Sequence, residues 1–353
     1  MVRTSVPKLI LALSLTLPLV AQDSRFGVRS RLVLVPATVT DARGRPVYGL
    51  GPEDFAIFDN SRERKVSVDT LDTGVAPIAL VIAVQSSGIS APVLEKVRKI
   101  GAMIQPLITG ERGCAALVTF AQSVDWLQEC TNDPNALQRA FRGIEAGEYK
   151  KAVMLDAVNE AIQRLRARQN TRRVILLISE SRDRGSKAAL EAVSVAAESA
   201  DITLYAATYS LAKAAFASKV RVGEPPPPPH AQTPSEVMKT PNGEVPTKYN
   251  PPILPTEQRA SISSGLAELL RLHRENDTQA LAAVTGGTAF PFTRQKALEE
   301  AIGKLGAELH SQYILSFAPE DAESGYHQLE VRVLRSGDYR VRARPGYWMA
   351  DTP

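Results

Sequence analysis

Three hydrophobic patterns succeed one another along this chain. Over residues 31–72, RLVLVPATVTDARGRPVYGLGPEDFAIFDNSRERKVSVDTLD, apolar and polar positions alternate in short runs, as from Leu32 and Leu34 to Thr40. The runs are broken at Asp41-Ala42-Arg43-Gly44 and Asp59-Asn60-Ser61. A period of two with turn residues between runs predicts hairpin strands, with one helical turn at Pro52-Glu53-Asp54-Phe55. From Ala76 onward, unbroken apolar runs alternate with stretches of helical period. The runs are Ile78–Val84, Val174–Ser179 and Ile202–Tyr209. The helical stretches are Pro92–Ile104 (Val93, Val97, Ile100, Met103 and Ile104 on one face), Pro134–Phe141, Val153–Arg166, Lys187–Ala197, Ser261–Glu275, Thr278–Val284 and Ala297–Leu309. The chain ends in three more strands, Ser311–Phe317, His327–Leu334 and Tyr339–Arg344. In the second of these Leu329, Val331 and Val333 face inward.

A strand with no polar alternation is buried on both faces. Strands of that kind alternating with helices predict right-handed crossovers and a mainly parallel sheet covered by helices on both sides, a Rossmann-like α/β layer. The β-rich ends are each too small to bury a core alone. Packed together they make one small β-sandwich with the α/β part inserted. The expected organisation is a leader over 1–21, sandwich halves over 27–73 and 310–348, and the α/β domain over 74–309. Within it, VGEPPPPPHAQTPSEVMKTPNGEVPTKYNPPILPTE, residues 222–257, is a proline-rich insertion of polyproline II character that cannot form a core.

Composition adds three points. The first is export. Arg3 and Lys8 precede the apolar run LILALSLTLPLVA, which is short of the roughly 20 residues of a membrane span. It has the layout of a cleaved secretory signal, and the mature chain is expected in the periplasm or outside the cell, with no membrane span. The second is charge. Removing Arg3 and Lys8 brings 42 basic residues to 40 against 38 acidic ones, a balance of +2. No dense Lys/Arg run accompanies it, so nucleic acid is not an expected partner. The third is redox chemistry. The two cysteines flank CAALVTFAQSVDWLQEC. If its turn centres on Gln122, Phe120 faces Val124, Val118 faces Trp126, Ala116 faces Gln128 and Cys114 faces Cys130. A cross-strand disulfide there closes a loop of about 15 residues, worth up to ~3 kcal/mol.

The stretches VLVPATVTDARGRPVYGLGPEDFAIFDN, PIALVIAVQSSGIS, ALVTFAQSVDWLQECTNDPNAL, VILLISESRD, TGGTAFPF and ELHSQYILSFAPE with the trailing RPGYW resemble the von Willebrand factor type A-related family of exported bacterial proteins. The resemblance runs from about residue 30 onward and spares the proline-rich insertion. It implies an Asp-x-Ser-x-Ser loop after the first strand. With a Thr and an Asp from two further loops, that loop would hold a divalent cation at a metal-ion-dependent adhesion site. A hard ion such as Mg²⁺ wants oxygen ligands and keeps one position open for a partner's carboxylate. Here the five positions fall on Gln85, Ser87, Ile89, Ala152 and Glu180. One hydroxyl is kept, one carboxylate is lengthened, and three ligands are gone. The adhesion site is therefore expected to be degenerate, with no cofactor and Mg²⁺ as the alternative.

The functional expectation is a non-enzymatic, exported binding protein that meets a protein or cell-envelope partner through the loops at the carboxyl ends of the sheet. Ser86, Ser87, Ser90, Glu180 and Asp183 are the binding-surface candidates. Two other readings stay open: a weak Mg²⁺-dependent adhesion site, and an envelope scaffold docking through the sandwich. A serine hydrolase using Ser86 or Ser87 is a remote fourth. The Gly-x-Ser-x-Gly elbow is absent, and His230, His273, His310 and His327 bring no matching acid or nucleophile.

Overall fold

The computed structural model describes residues 32–69, 76–148, 151–210, 270, 276–319 and 324–349. The expected leader and the proline-rich insertion lie outside the described residues, as does the expected helix over 261–275 apart from Leu270, which is helical.

In chain order the strands are β1 Val33–Asp41, β2 Phe55–Asp59, β3 Arg62–Arg64, β4 Ser67–Asp69, β5 Ile78–Gln85, β6 Cys114–Phe120, β7 Val124–Thr131, β8 Arg172–Ser179, β9 Ile202–Thr208, β10 Ala289–Pro291, β11 Tyr313–Phe317, β12 Gly325–Val333, β13 Tyr339–Arg342 and β14 Gly346–Met349. The helices are α1 Ala91–Val97, α2 Gly101–Ile104, α3 Pro134–Arg142, α4 Met154–Arg166, α5 Leu190–Ser199, α6 Asp277–Val284 and α7 Gln295–Ser311. No described helix is long and apolar enough to cross a membrane.

The six-stranded sheet runs β10-β9-β8-β5-β6-β7, parallel except for the β6–β7 hairpin. Counted from β5, this is the doubly wound order 3-2-1-4-5-6, and the order reverses between β5 and β8. Every residue of β5 is buried, as its unbroken apolar run requires. Its two faces differ in size. Leu80, Ile82 and Val84 share a core with α1, α2 and α7 through Val93, Val97, Ile104, Leu298 and Ile302. Ala79, Val81 and Ala83 share the other with α4 and α5 through Val158, Ile162, Val193 and Ala197. Small side chains on that face let α4 lie close on the sheet.

Two four-stranded sheets take strands from both ends of the chain: β13-β1-β11-β4 and β14-β12-β2-β3. Val35, Ala37 and Leu315 of the first and Phe55, Ile57, Leu329 and Tyr347 of the second share one core, which makes a sandwich. The chain therefore carries the expected α/β layer together with antiparallel sheets drawn from its ends. Gln312, just beyond α7, ties the two parts, donating to Thr38 Oγ1 at 3.3 Å and to the Tyr205 hydroxyl at 3.0 Å.

Three local expectations need correction. The helix over 92–104 is two pieces followed by a π turn at Gln105–Thr109. Pro106 has no N–H to continue the α pattern, and Gly110 N–H instead bonds Gln105 O at 2.8 Å. The β6–β7 hairpin keeps its predicted pairs only near the turn. Phe120 faces Val124 and Val118 faces Trp126, but then Leu117 faces Gln128 and Ala115 faces Thr131, because the register shifts at irregularities along the pair. Cys114 and Cys130 still approach to 5.3 Å between Cα atoms and form the disulfide. Finally, a fourth terminal strand, β14, pairs with β12 where only three strands were expected.

Candidate functional site

The loops at the carboxyl ends of β5 and β8 meet at the point where the strand order reverses, the usual ligand position of such sheets. β5 ends at Gln85, and Ser86 N–H makes one more bond to Phe120 O, at 2.9 Å. The chain then turns through Ser87 and a 3₁₀ turn at Gly88–Ser90 into α1. A second loop presses on this turn. Gly147 N–H donates to Ser86 O at 2.6 Å, and a Cβ on Gly88 would stand 2.8 Å from the Gly147 carbonyl oxygen. Only glycine admits that approach.

The Gln85 side chain joins the first and third loops. Its Oε1 accepts the Glu180 N–H at 2.9 Å, which points its Nε2 at Ser87 Oγ (2.9 Å) and Glu180 Oε2 (3.4 Å). The amide orientation follows from chemistry, since a backbone N–H needs an acceptor opposite it. Ser87 Oγ lies 3.1 Å from Ser90 Oγ, and the Tyr209 hydroxyl donates to Ser90 Oγ at 2.7 Å. Burial, with a contribution from Glu180, holds the Tyr209 phenol well above its ordinary pKa, so the hydroxyl remains a donor. Arg184 Nε completes the group, 3.3 Å from Glu180 Oε2.

The second and third loops are stitched together independently. Ala152 and Arg184 exchange backbone hydrogen bonds, at 3.3 and 3.0 Å. The Asp183 carboxylate accepts from Leu155 N–H in the first turn of α4, from Gly185 N–H, and from the N–H and hydroxyl of Ser186. Asp156 accepts from Lys187 and Ala188 N–H, and Asp277 holds Asp183 N–H at 2.8 Å. An acidic side chain at the start of α4 also suits the helix dipole.

The five expected ligand positions thus come together unevenly. Gln85, Ser87 and Glu180 converge. Ala152 contributes backbone only, and Ile89, half-buried, has no polar side-chain atom to offer. Of the binding-surface candidates, Ser86, Ser87 and Ser90 are buried, Ser87 and Ser90 fully, while Glu180 and Asp183 are half-buried; the adhesion-site position Gln85 is 1% exposed. The rim above them exposes Glu148, Lys151, Arg182 and Arg184. Neither Ser86 nor Ser87 has a histidine partner among the described residues; His310 and His327 sit in α7 and the sandwich. Sequence reasoning missed Tyr209, Arg184, Ser186 and Asp277. Tyr209 was within reach, since it ends a buried strand and so lies at this end of the sheet. The others sit in loops and at a helix start that no periodicity places here.

No family model matches the chain, and no curated protein matches it. Solved structures do. An aerotolerance-related membrane protein from Bacteroides fragilis, carrying multiple mutations to serine, is 14% identical with a TM-score of 0.40. That match covers 65% of this chain and 98% of the other. The conserved hypothetical protein BatB from Bacteroides thetaiotaomicron gives 13%, 0.39, 65% and 98%. Proximal thread matrix protein 1 of the mussel byssus, with a zinc-occupied adhesion-site motif, gives 11% and 0.41, covering 70% of this chain and 48% of the other. The strand order and the loops gathered at the reversal point give the six-stranded part of this chain the doubly wound α/β layer that its resemblance to the von Willebrand factor type A-related family implies.

Proposed function

We propose that this chain is an exported, non-enzymatic binding protein whose type A fold keeps its upper loops in place without a cation. One observation carries the reading: the Gln85 amide nitrogen stands between Ser87 Oγ and Glu180 Oε2, supplying from within the chain the positive pole a metal would bring. The remaining donors fit Mg²⁺ poorly. They amount to one hydroxyl and one carboxylate already paired with Arg184, whereas this ion demands six oxygens in near-ideal geometry. The partner is a protein or envelope component with acidic groups, met by the rim. Arg184 is 52% exposed, spends only Nε on Glu180, and has Lys151 and Arg182 as exposed basic neighbours on the same rim.

Calorimetric titration with Mg²⁺ and with Mn²⁺ is expected to give no sub-millimolar binding. Such binding, abolished by Ser87→Ala, would overturn the metal-free reading. In a pull-down from envelope extracts, capture is expected to survive chelator and to fall with Arg184→Ala. Capture that is lost with chelator and indifferent to Arg184→Ala would point back to a cation.

A further inference from the structure

The opposite end of the sheet carries a cleft with unspent charge. It has a volume of about 410 Å³ and lies between the amino ends of β8 and β9 and the sandwich sheet that contains β1 and β11. This is within the range of small-molecule sites, about 300–1,000 Å³. Leu34 and Pro36 of β1, Ile314 of β11 and Val174 of β8 give it apolar walls, and Arg172 and Arg173, consecutive at the start of β8, both line it, the first bonded toward α7 and the second toward the ends of α4 and α5.

Among the described residues, those two arginines make hydrogen bonds only to neutral acceptors. Arg172 donates to Leu309 O at 2.7 Å and to Gln312 Oε1 at 2.6 Å. Arg173 donates to Arg168 O at 3.1 Å and to Ala200 O at 2.8 Å. A guanidinium has five N–H donors in a fork that matches an anion. Each therefore keeps donors in reserve, and no carboxylate among the described residues forms an ion pair with either. Asp201, the acid on the lip, is already taken by Arg344 Nη1 at 2.9 Å. The carbonyls the two arginines meet at the C-terminal ends of α7 and α5 supply only part of a negative charge, and burial, opposed by Tyr205, draws Arg172 below its ordinary pKa. Free inorganic anions would answer the charge but leave the apolar walls wet.

We infer that this cleft binds a small amphiphilic anion, its charged head on Arg172 and Arg173 and its apolar body against Leu34, Pro36 and Ile314. The site is independent of the upper loops and of any partner they hold.

Decanoate is the probe, titrated calorimetrically into the full chain below its aggregation concentration. Decanol supplies the tail without the charge, and acetate the head without the tail. One decanoate per chain is expected, with a dissociation constant of roughly 100 µM and both controls weaker by about tenfold or more. Two variants localise it. Arg173→Gln removes a half-buried charge, and Leu34→Trp narrows the cleft from an exposed position while leaving both arginines intact. Each is expected to weaken decanoate by about tenfold, with an unchanged thermal unfolding midpoint showing that the fold is kept. Decanol binding as tightly as decanoate, acetate binding as tightly, or decanoate binding unchanged in both variants would each overturn the proposal.

Discussion

At the carboxyl ends of β5 and β8, Gln85, Ser87, Ser90, Glu180 and Tyr209 answer one another donor for acceptor. At the amino ends of β8 and β9 the polar groups do not. Among the described residues, Arg172 and Arg173 meet neutral acceptors alone, while Glu198, at the end of α5, has no hydrogen-bond donor on either carboxyl oxygen. Arg344 Nε, the Tyr326 hydroxyl and Trp348 Nε1 are also without partners. A doubly wound fold advertises its upper end as the functional one. Satisfaction of polar groups reverses the emphasis. The upper end is a closed network that presents only its rim, and the lower end holds the unspent chemistry.

Three substitutions test that contrast. Gln85→Leu strikes the satisfied end hardest, because it orphans the Glu180 N–H and leaves Ser87 and Glu180 short of a donor. Urea unfolding is expected to show a loss of about 3 kcal/mol. A loss below ~0.5 kcal/mol would mean the network does not hold the loops.

The next effect is a pH dependence at Glu198. Burial raises its pKa from 4.5 to about 8, partly offset by the charge of Arg344. Between those values the folded chain holds a proton that the unfolded chain has lost, so this group's contribution to stability is complete below pH 4.5 and declines as pH rises through 8. Glu198→Gln, neutral throughout, is expected to flatten that decline and to be the more stable protein above pH 8, by about 2 kcal/mol. Parallel stability–pH curves for the two proteins would contradict it.

The smallest effect is expected for Arg172→Met. It removes a costly charge together with two hydrogen bonds, and the net change should stay within about 1 kcal/mol. A loss as large as that of Gln85→Leu would show that the two ends are built alike.

Most of the fold was legible because burial on both faces and helical period leave unambiguous marks. β5, α4 and β8 fall within two residues of where the pattern predicts them. What escaped has local physical causes. β14 is four residues of Gly346-Tyr347-Trp348-Met349 directly after Pro345, too short to display an alternation. The slip along β6–β7 comes from irregularities that no side-chain pattern marks. At the site, the substitutions at Gln85 and Ala152 could be read directly. Their consequence could not, because it rests on Arg184, Ser186 and Asp277 arriving from loops and a helix start. The burial of Ser86, Ser87 and Ser90 was equally hidden, since a hydroxyl-rich turn looks the same whether it faces water or a neighbouring loop.

The braiding of the sandwich bears on the order in which the chain can fold. Among the described residues, both neighbours of β1 and the sole neighbour of β4 are strands from the last part of the sequence. β1 lies more than two hundred and seventy residues from its partner β11 along the chain, since the two pair as Ala37 with Tyr313 and Val33 with Phe317. Contacts that distant close late. The α/β layer, built from nearer contacts, can condense while the first strands wait with open edges, so the sandwich closes last and its edges stay open to other chains until it does.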